Sequence, residues 1–222
     1  MRPIKYHKEN VIDLLCKEKI VTMQQLTNKT GSSSTTALRH LKSHEHGYLT
    51  SYNFNARYYT LGDIPEFDNY GLWTFKDVRF SKHGSLTDTI AKLIANSPKG
   101  MQIDEIEKIL SVNVAPIVTR LFQKKTIKRE KVGGALFYFS NIDEEMEKQL
   151  KQQQDQRREK ISLLLPEPER IIAVLVDLIK HPQAKIPEIC NRLSTAGINI
   201  SPNEIGIIFF YYDLRKKKRL KY

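Results

Sequence analysis

Only two cysteines, Cys16 and Cys190, occur in the 222 residues. Two isolated thiols make no disulfide framework, and each sits in an apolar helical pattern, which points to buried thiols in a reducing cytosol. No apolar run approaches the ~20 residues that cross a bilayer. The opening residues Met1 to Tyr6 lack the apolar core of a signal peptide, so no secretory leader is expected. Phosphate-loop, serine-elbow and Cys-x-x-Cys patterns are missing as well. Neither enzymatic chemistry nor a cofactor is therefore expected. Tryptophan occurs once, as Trp73, in a segment where it reads as a packing residue between modules.

Acidic charge is the other shortage. Lys and Arg number 36 against 25 Asp and Glu, leaving a formal charge of +11. The excess is unevenly spread: net +5 over residues 1–62, −2 over 63–80, +5 over 81–141, −1 over 142–160 and +4 over 161–222. Three basic segments separated by two weakly acidic ones suit modules that each face a polyanion, because Lys and Arg gain affinity by releasing phosphate counterions.

Taken in order, the chain divides into five segments. Residues 1–62 form a first module. Val11, Ile12, Leu14, Leu15 and Cys16 give an apolar stripe at helical spacing over about 9–19. Thr22, with Gln25 three residues on, reads as the capped start of a second helix. A turn at Thr30-Gly31-Ser32 follows, and Ser32 or Ser33 can cap a third helix. That third helix has a spine of Ala37, Leu38 and Leu41. Its polar side carries Ser34, Thr35, Thr36, Arg39, His40, Lys42 and Ser43, beginning at Ser33. Hydroxyls and arginine bond phosphates and base edges, and arginine can hold guanine through two hydrogen bonds. Two strand-like runs, Tyr48–Tyr52 and Arg57–Leu61, then flank an Asn-rich tip in which Asn53, Asn55 and Arg57 are contact candidates.

Residues 63–84 are an acidic, then aromatic, connection that fixes one module against the next. Residues 85–141 repeat the first module at an offset near 80, with Ile90, Leu93 and Ile94 echoing Ile12, Leu15 and Cys16, and Ile106 echoing Leu26. In the same repeat Val118 and Leu121 echo Leu38 and Leu41. The third helix of this repeat opens with apolar residues and Pro116, so base reading from it is less expected, although Asn113, Thr119, Arg120 and Lys124 lie on it. Its hairpin, turned by Gly133-Gly134, carries Lys128, Arg129 and Lys131 toward phosphates. Residues 142–166 read as a solvated polar helix and linker. Residues 167–222 read as a third helix-turn-helix without a hairpin, whose last helix is apolar nearly all round, followed by a basic tail containing Lys216 and Lys217.

Helix, turn, helix and hairpin in this order resemble the winged-helix transcription-factor superfamily over residues 9–61 and 88–140. The run from Tyr70-Gly71-Leu72-Trp73 to Ser81-Lys82-His83-Gly84, with the second repeat, resembles two-winged-helix proteins that accompany bacterial insertion sequences. The resemblance implies a mainly α architecture with small β-hairpin wings. It also implies a non-enzymatic, nucleoid-associated cytoplasmic protein that binds double-stranded DNA, as a transcriptional regulator or an accessory factor in transposition. Two other readings stay open. The apolar helix at 205–214 suits a protein-interaction scaffold or self-association. Tyr52, Phe54, Tyr58 and Tyr59 suit stacking on RNA or single-stranded DNA. His40, His44 and His46 have the spacing of metal ligands, but polar or protonated groups at the end of a helix also complement its dipole, so no metal is expected.

Overall fold

A computed structural model describes residues 8–214, which form a mixed α+β chain in two compact units dividing between Leu150 and Lys151. The cations Lys216 and Lys217 lie outside the described residues.

The first unit begins with α1 (Lys8–Glu18), β1 (Val21–Thr22), α2 (Met23–Thr30) and α3 (Ser34–Lys42), followed by the strands β2 (Tyr48–Thr50) and β3 (Tyr58–Leu61). The strands pair antiparallel in the order β1-β3-β2, with Val21 opposite Tyr59 and Tyr48 opposite Leu61. Val11 and Leu15, one turn apart on α1, pack with Val21, Leu26, Leu41 and Leu61 into one core. This register differs by one residue from the apolar pattern. Leu15 is enclosed, and Cys16 next to it faces solvent, so it is not a buried thiol.

A second copy of the arrangement follows, with α4 (Leu86–Asn96), α5 (Ile103–Leu110), α6 (Ala115–Gln123), β6 (Ile127–Val132) and β7 (Ala135–Ser140). Met101 pairs with Tyr138 of β7 through two backbone bonds of 2.8 and 2.9 Å, the place β1 takes beside β3. The hairpin turn needs only Gly133 and Gly134, both at positive φ, the geometry that matches strand twist. The second unit contains α8 (Pro168–Lys180), α9 (Ile186–Thr195) and α10 (Pro202–Tyr211) around Val174, Ile189, Leu193, Ile205, Ile208 and Phe209.

All three helical triplets solve the same problem in the same way. Helices of eight to ten residues are marginal alone and need their ends satisfied. Each middle helix starts with a residue whose backbone N–H donates to a side chain three positions on: Thr22 to Gln25, Gln102 to Glu105, Lys185 to Glu188. One position further, Leu26, Ile106 and Ile189 are each fully buried. A residue at positive φ follows each of these helices, at Gly31, Ser111 and Gly197. The third helices begin after Ser33, Val114 and Ser201, and four residues on Ala37, Val118 and Ile205 are fully buried. Val118 thus matches Ala37 rather than the half-buried Leu38.

Between the two copies, β4 (Leu72–Phe75) and β5 (Val78–Ser81) form a hairpin. Trp73 stacks within it, 5.6 Å from Phe75 and 5.4 Å from Phe80. The bonds that cross the seam come from the first module instead. Asn53 Nδ2 donates to Asp77 O at 2.7 Å, and Asn53 Oδ1 accepts from the Arg79 N–H at 3.0 Å. Tyr52 N–H donates to Arg79 O, and its hydroxyl to Leu110 O at 3.2 Å. On the far side, Leu72 joins the core of the second copy and buried Thr89 donates to Ser81 Oγ at 2.8 Å. The two copies are held as one body.

The helix α7 (Asp143–Ser162) is not solvated along its whole length. Gln149 is buried, accepts from the Ser140 N–H and donates to Ile94 O and Ser97 O at 2.8 and 2.6 Å. It satisfies the open carbonyls at the end of α4. In the second unit, Arg192 grips the buried Asp177 with two bonds of 2.8 and 2.6 Å, joining α9 to α8. The Arg192 hydrogen bond holds that carboxyl below its ordinary range. The helix α10 is buried on one face only, since Phe210 and Tyr212 are exposed.

Replacing Gln149 by Ala strands buried backbone groups without partners and is expected to cost about 2–3 kcal/mol in urea unfolding. A loss no larger than that of an ordinary surface substitution on α7 contradicts the anchoring role.

Candidate nucleic-acid interface

The helix α3 owes its start to Ser33, whose hydroxyl accepts from the Thr36 N–H at 3.2 Å and lies 3.0 Å from the Thr36 hydroxyl. Ser32 is buried instead, its hydroxyl 2.6 Å from that of Thr30. Ser33 and Thr36 are therefore occupied in capping. Buried Ala37 and Leu41 dock the helix, and this leaves Thr35, Arg39 and Lys42 exposed at i, i+4 and i+7, on one face. Ser34 is exposed beside them. None of these four side chains has a hydrogen bond or ion pair among the described residues. No acidic residue lies on the helix, and its last turn carries Arg39, His40 and Lys42. Ser43 caps that end and donates to His40 O.

The histidines point elsewhere. His40 Nε2 and His44 Nδ1 are buried with no hydrogen-bond partner, and His44 Nε2 lies 3.9 Å from Asp63. His40 is therefore not part of the exposed face. No group of three His, Cys, Asp or Glu residues among those described is placed to hold a metal ion.

At the β2–β3 loop the candidates separate. Asn53 has both ends of its amide engaged with the β4–β5 hairpin, so it is a structural residue and not a free contact. Asn55 (φ 55°) and Arg57 are exposed, flanking Ala56 in a short loop helix. The aromatic side chains are mostly used inside. Tyr59 packs on Tyr48 at 5.9 Å, Tyr52 bonds Leu110, and only Phe54, 52% exposed and edge-on to Tyr58, stands open.

In the second copy, Asn113, Arg120 and Lys124 are exposed and unpaired among the described residues. The Thr119 hydroxyl turns back to Ala115 O at 2.9 Å. On the β6–β7 hairpin, Lys128 pairs with Asp143, which occupies its charge. Arg129 lies over the Phe122 ring at 4.3 Å, so its guanidinium is held against α6. Arg129 and Lys131 alternate onto the face that includes Ile127 and Tyr138, the side packed against α6. Sequence reasoning passed over Lys125, which is exposed at the end of α6 beside Lys124; the Lys-Lys run was its signal. It also passed over the exposed Leu136 opposite Lys131.

On the second unit, Ile172, Val176 and Ile179 of α8 are 60%, 42% and 78% exposed at i, i+4 and i+7. An apolar stripe lies there and not on α10 alone. Among the described residues no helix is long and apolar enough to cross a membrane.

Burial pushes the Tyr52 phenol up to about 12, against the charge of Arg79 and with a further push from Asp68. The folded chain holds this proton more tightly than the unfolded chain. Its stabilising effect is complete below about pH 10 and is lost as the pH rises through the folded value. At neutral pH Tyr52→Phe should lower stability by roughly 0.5–1.5 kcal/mol, and the gap to the parent should close between about pH 10 and 12. Urea unfolding across that range checks it; a gap that stays constant contradicts the buried hydroxyl. Compared with known proteins, the chain matches no family model and no curated sequence, so its functional reading rests on this geometry.

Proposed function

We propose that the chain is a non-enzymatic double-stranded DNA-binding protein whose first unit holds two winged helix-turn-helix modules, the first of which reads sequence. The observation that carries this is the face of α3. Thr35, Arg39 and Lys42 form an exposed row with no partner among the described residues and no acid on the helix. Such a row loses no internal bond when it meets a base edge or a phosphate. The strand order β1-β3-β2 and the position of the β2–β3 loop support the winged reading. The second module supplies backbone contacts through Arg120, Lys124 and Lys131. The role is that of a transcriptional regulator or an accessory factor in mobile-element transactions, acting at the nucleoid.

A second reading applies to the second unit, where the exposed row Ile172, Val176 and Ile179 favours contact with protein.

Selection from a random duplex library should yield a defined site. On that site Arg39→Ala should cost ~5–100-fold in affinity and relax preference at one or two positions. Arg57→Ala and Lys131→Ala should weaken binding evenly across sequences and lower the salt slope by about one each. Fluorescence anisotropy on duplex, single-stranded and RNA probes at two salt concentrations decides between the classes. Equal small losses for Arg39→Ala and a distant surface arginine would reduce α3 to a general basic patch. Absence of binding at moderate salt sinks the reading.

A further inference from the structure

We infer that a cleft beside the turn between α4 and α5 binds a small organic anion carrying an aromatic ring. The cleft encloses about 730 Å³, within the ~300–1,000 Å³ of small-molecule sites. Leu93 and Met101 give it an apolar wall, and Tyr70 stands half-exposed at its margin. Lys82, Lys99 and Lys108 bring positive charge to it from separate parts of the chain.

The three lysines are not equivalent. Lys99 lies 3.5 Å from Glu105, the one carboxylate of the lining, whose other oxygen accepts from the Gln102 N–H at 2.9 Å. That acid is fully committed within the fold. Lys82 and Lys108 have no ion pair among the described residues. Lys82 is also held in position. Its N–H donates to Gly71 O at 2.9 Å, and its stem lies flat over Gly71, where a Cβ would come within 2.5 Å of Cε and 2.7 Å of Cγ. Gly71 is at φ +73°, a conformation that itself favours glycine. The chain thus leaves out a side chain where one would turn the lysine aside.

The requirements for a ligand follow from this layout. Uncompensated ammonium groups attract a phosphate or carboxylate as point charges. The apolar wall and the Tyr70 ring reward a flat apolar body. Inorganic phosphate has nothing to place on the wall, and a neutral aromatic leaves the lysines unanswered. A nucleotide and an aromatic carboxylate share the chemistry that satisfies both. None of these residues lies on the faces of α3 or the β6–β7 hairpin, so the inference stands apart from DNA reading.

The test is a titration of the full chain labelled with ¹³C at its methionine methyls, Met101 being one of four methionines and assigned by Met101→Leu. The probes are adenosine 5′-monophosphate, salicylate and inorganic phosphate. Saturable movement of the Met101 signal is expected with one or both aromatic anions, at a Kd between ~10 μM and ~5 mM, and none with phosphate alone. Which compound saturates distinguishes a nucleotide site from an aromatic-carboxylate site. Lys82→Gln with Lys108→Gln should weaken the response ~10-fold or more at an unchanged melting temperature, whereas Ile172→Ser on the second unit should not alter it. Three outcomes overturn the inference: silence of Met101 toward both aromatic anions up to ~10 mM, an equal response to phosphate, or full binding by a folded double variant.

Discussion

The hydroxyl of Tyr52 and the amide of Asn53 make two short modules into one body. Tyr52 bonds the last turn of α5 in the second copy, while Asn53 fastens the β4–β5 turn from both ends of its side chain. The turn being fastened places Lys76 and Asp77 at φ 48° and 54°, which non-glycine residues adopt at a cost. Asn53 meets Asp77 O and the Arg79 N–H, so backbone groups that the tight turn leaves open gain partners. The β4–β5 hairpin then continues into the second core through Leu72 and the Ser81–Thr89 pair. These bonds link the module that carries α3 to the module that carries α6.

Within each module the constraint is helix length. Helices of eight or nine residues are marginal on their own in water, so their order depends on their ends being satisfied and on deeply buried side chains, the first of them at the fourth position. That device occurs three times, with Leu26, Ile106 and Ile189 at the same place. What varies is the exposed side, where selection of residue type is free. In the first module the variation leaves hydroxyls and cations on α3. In the second it brings Pro116 and apolar residues to the start of α6, and in the third it turns much of α10 inward.

Local features were legible in the chain itself. The Thr22–Gln25 cap, the Gly133-Gly134 turn and the Pro202 helix start each depend on residues within a few positions. The repeat was legible because the apolar spacing recurs near 80 residues, although the register on α1 lay one residue off and put Cys16 inside. The misread residues share a different property. Asn53 finds its partners 24 and 26 positions away, Tyr52 at 58, and Gln149 at 52 to 55. A polar side chain gives no local sign of whether it will meet water, a phosphate or a distant carbonyl. The stripe on α8 was hidden for the opposite reason: Ile171, Ile172, Val174, Leu175, Val176, Leu178 and Ile179 are apolar nearly all round, and only packing decides which of them is left outside.

The distribution of paired and unpaired cations sharpens which basic residues matter. Lys29 sits on Glu18 at 2.9 Å and Lys128 on Asp143, and a phosphate that recruits either must first displace a carboxylate. Surface pairs of this kind are worth only ~0–1 kcal/mol, but that is enough to rank them below free neighbours when a phosphate contact is itself modest. Arg39, Lys42 and Arg57 in the first module, and Arg120, Lys124 and Lys131 in the second, have no ion pair among the described residues to give up. Net charge alone treats all these cations alike. Their pairing separates those that stabilise the fold from those left open to an external anion, and the second group includes Arg39 and Lys42 on α3, Arg57 in the hairpin loop and Arg120, Lys124 and Lys131 in the second module.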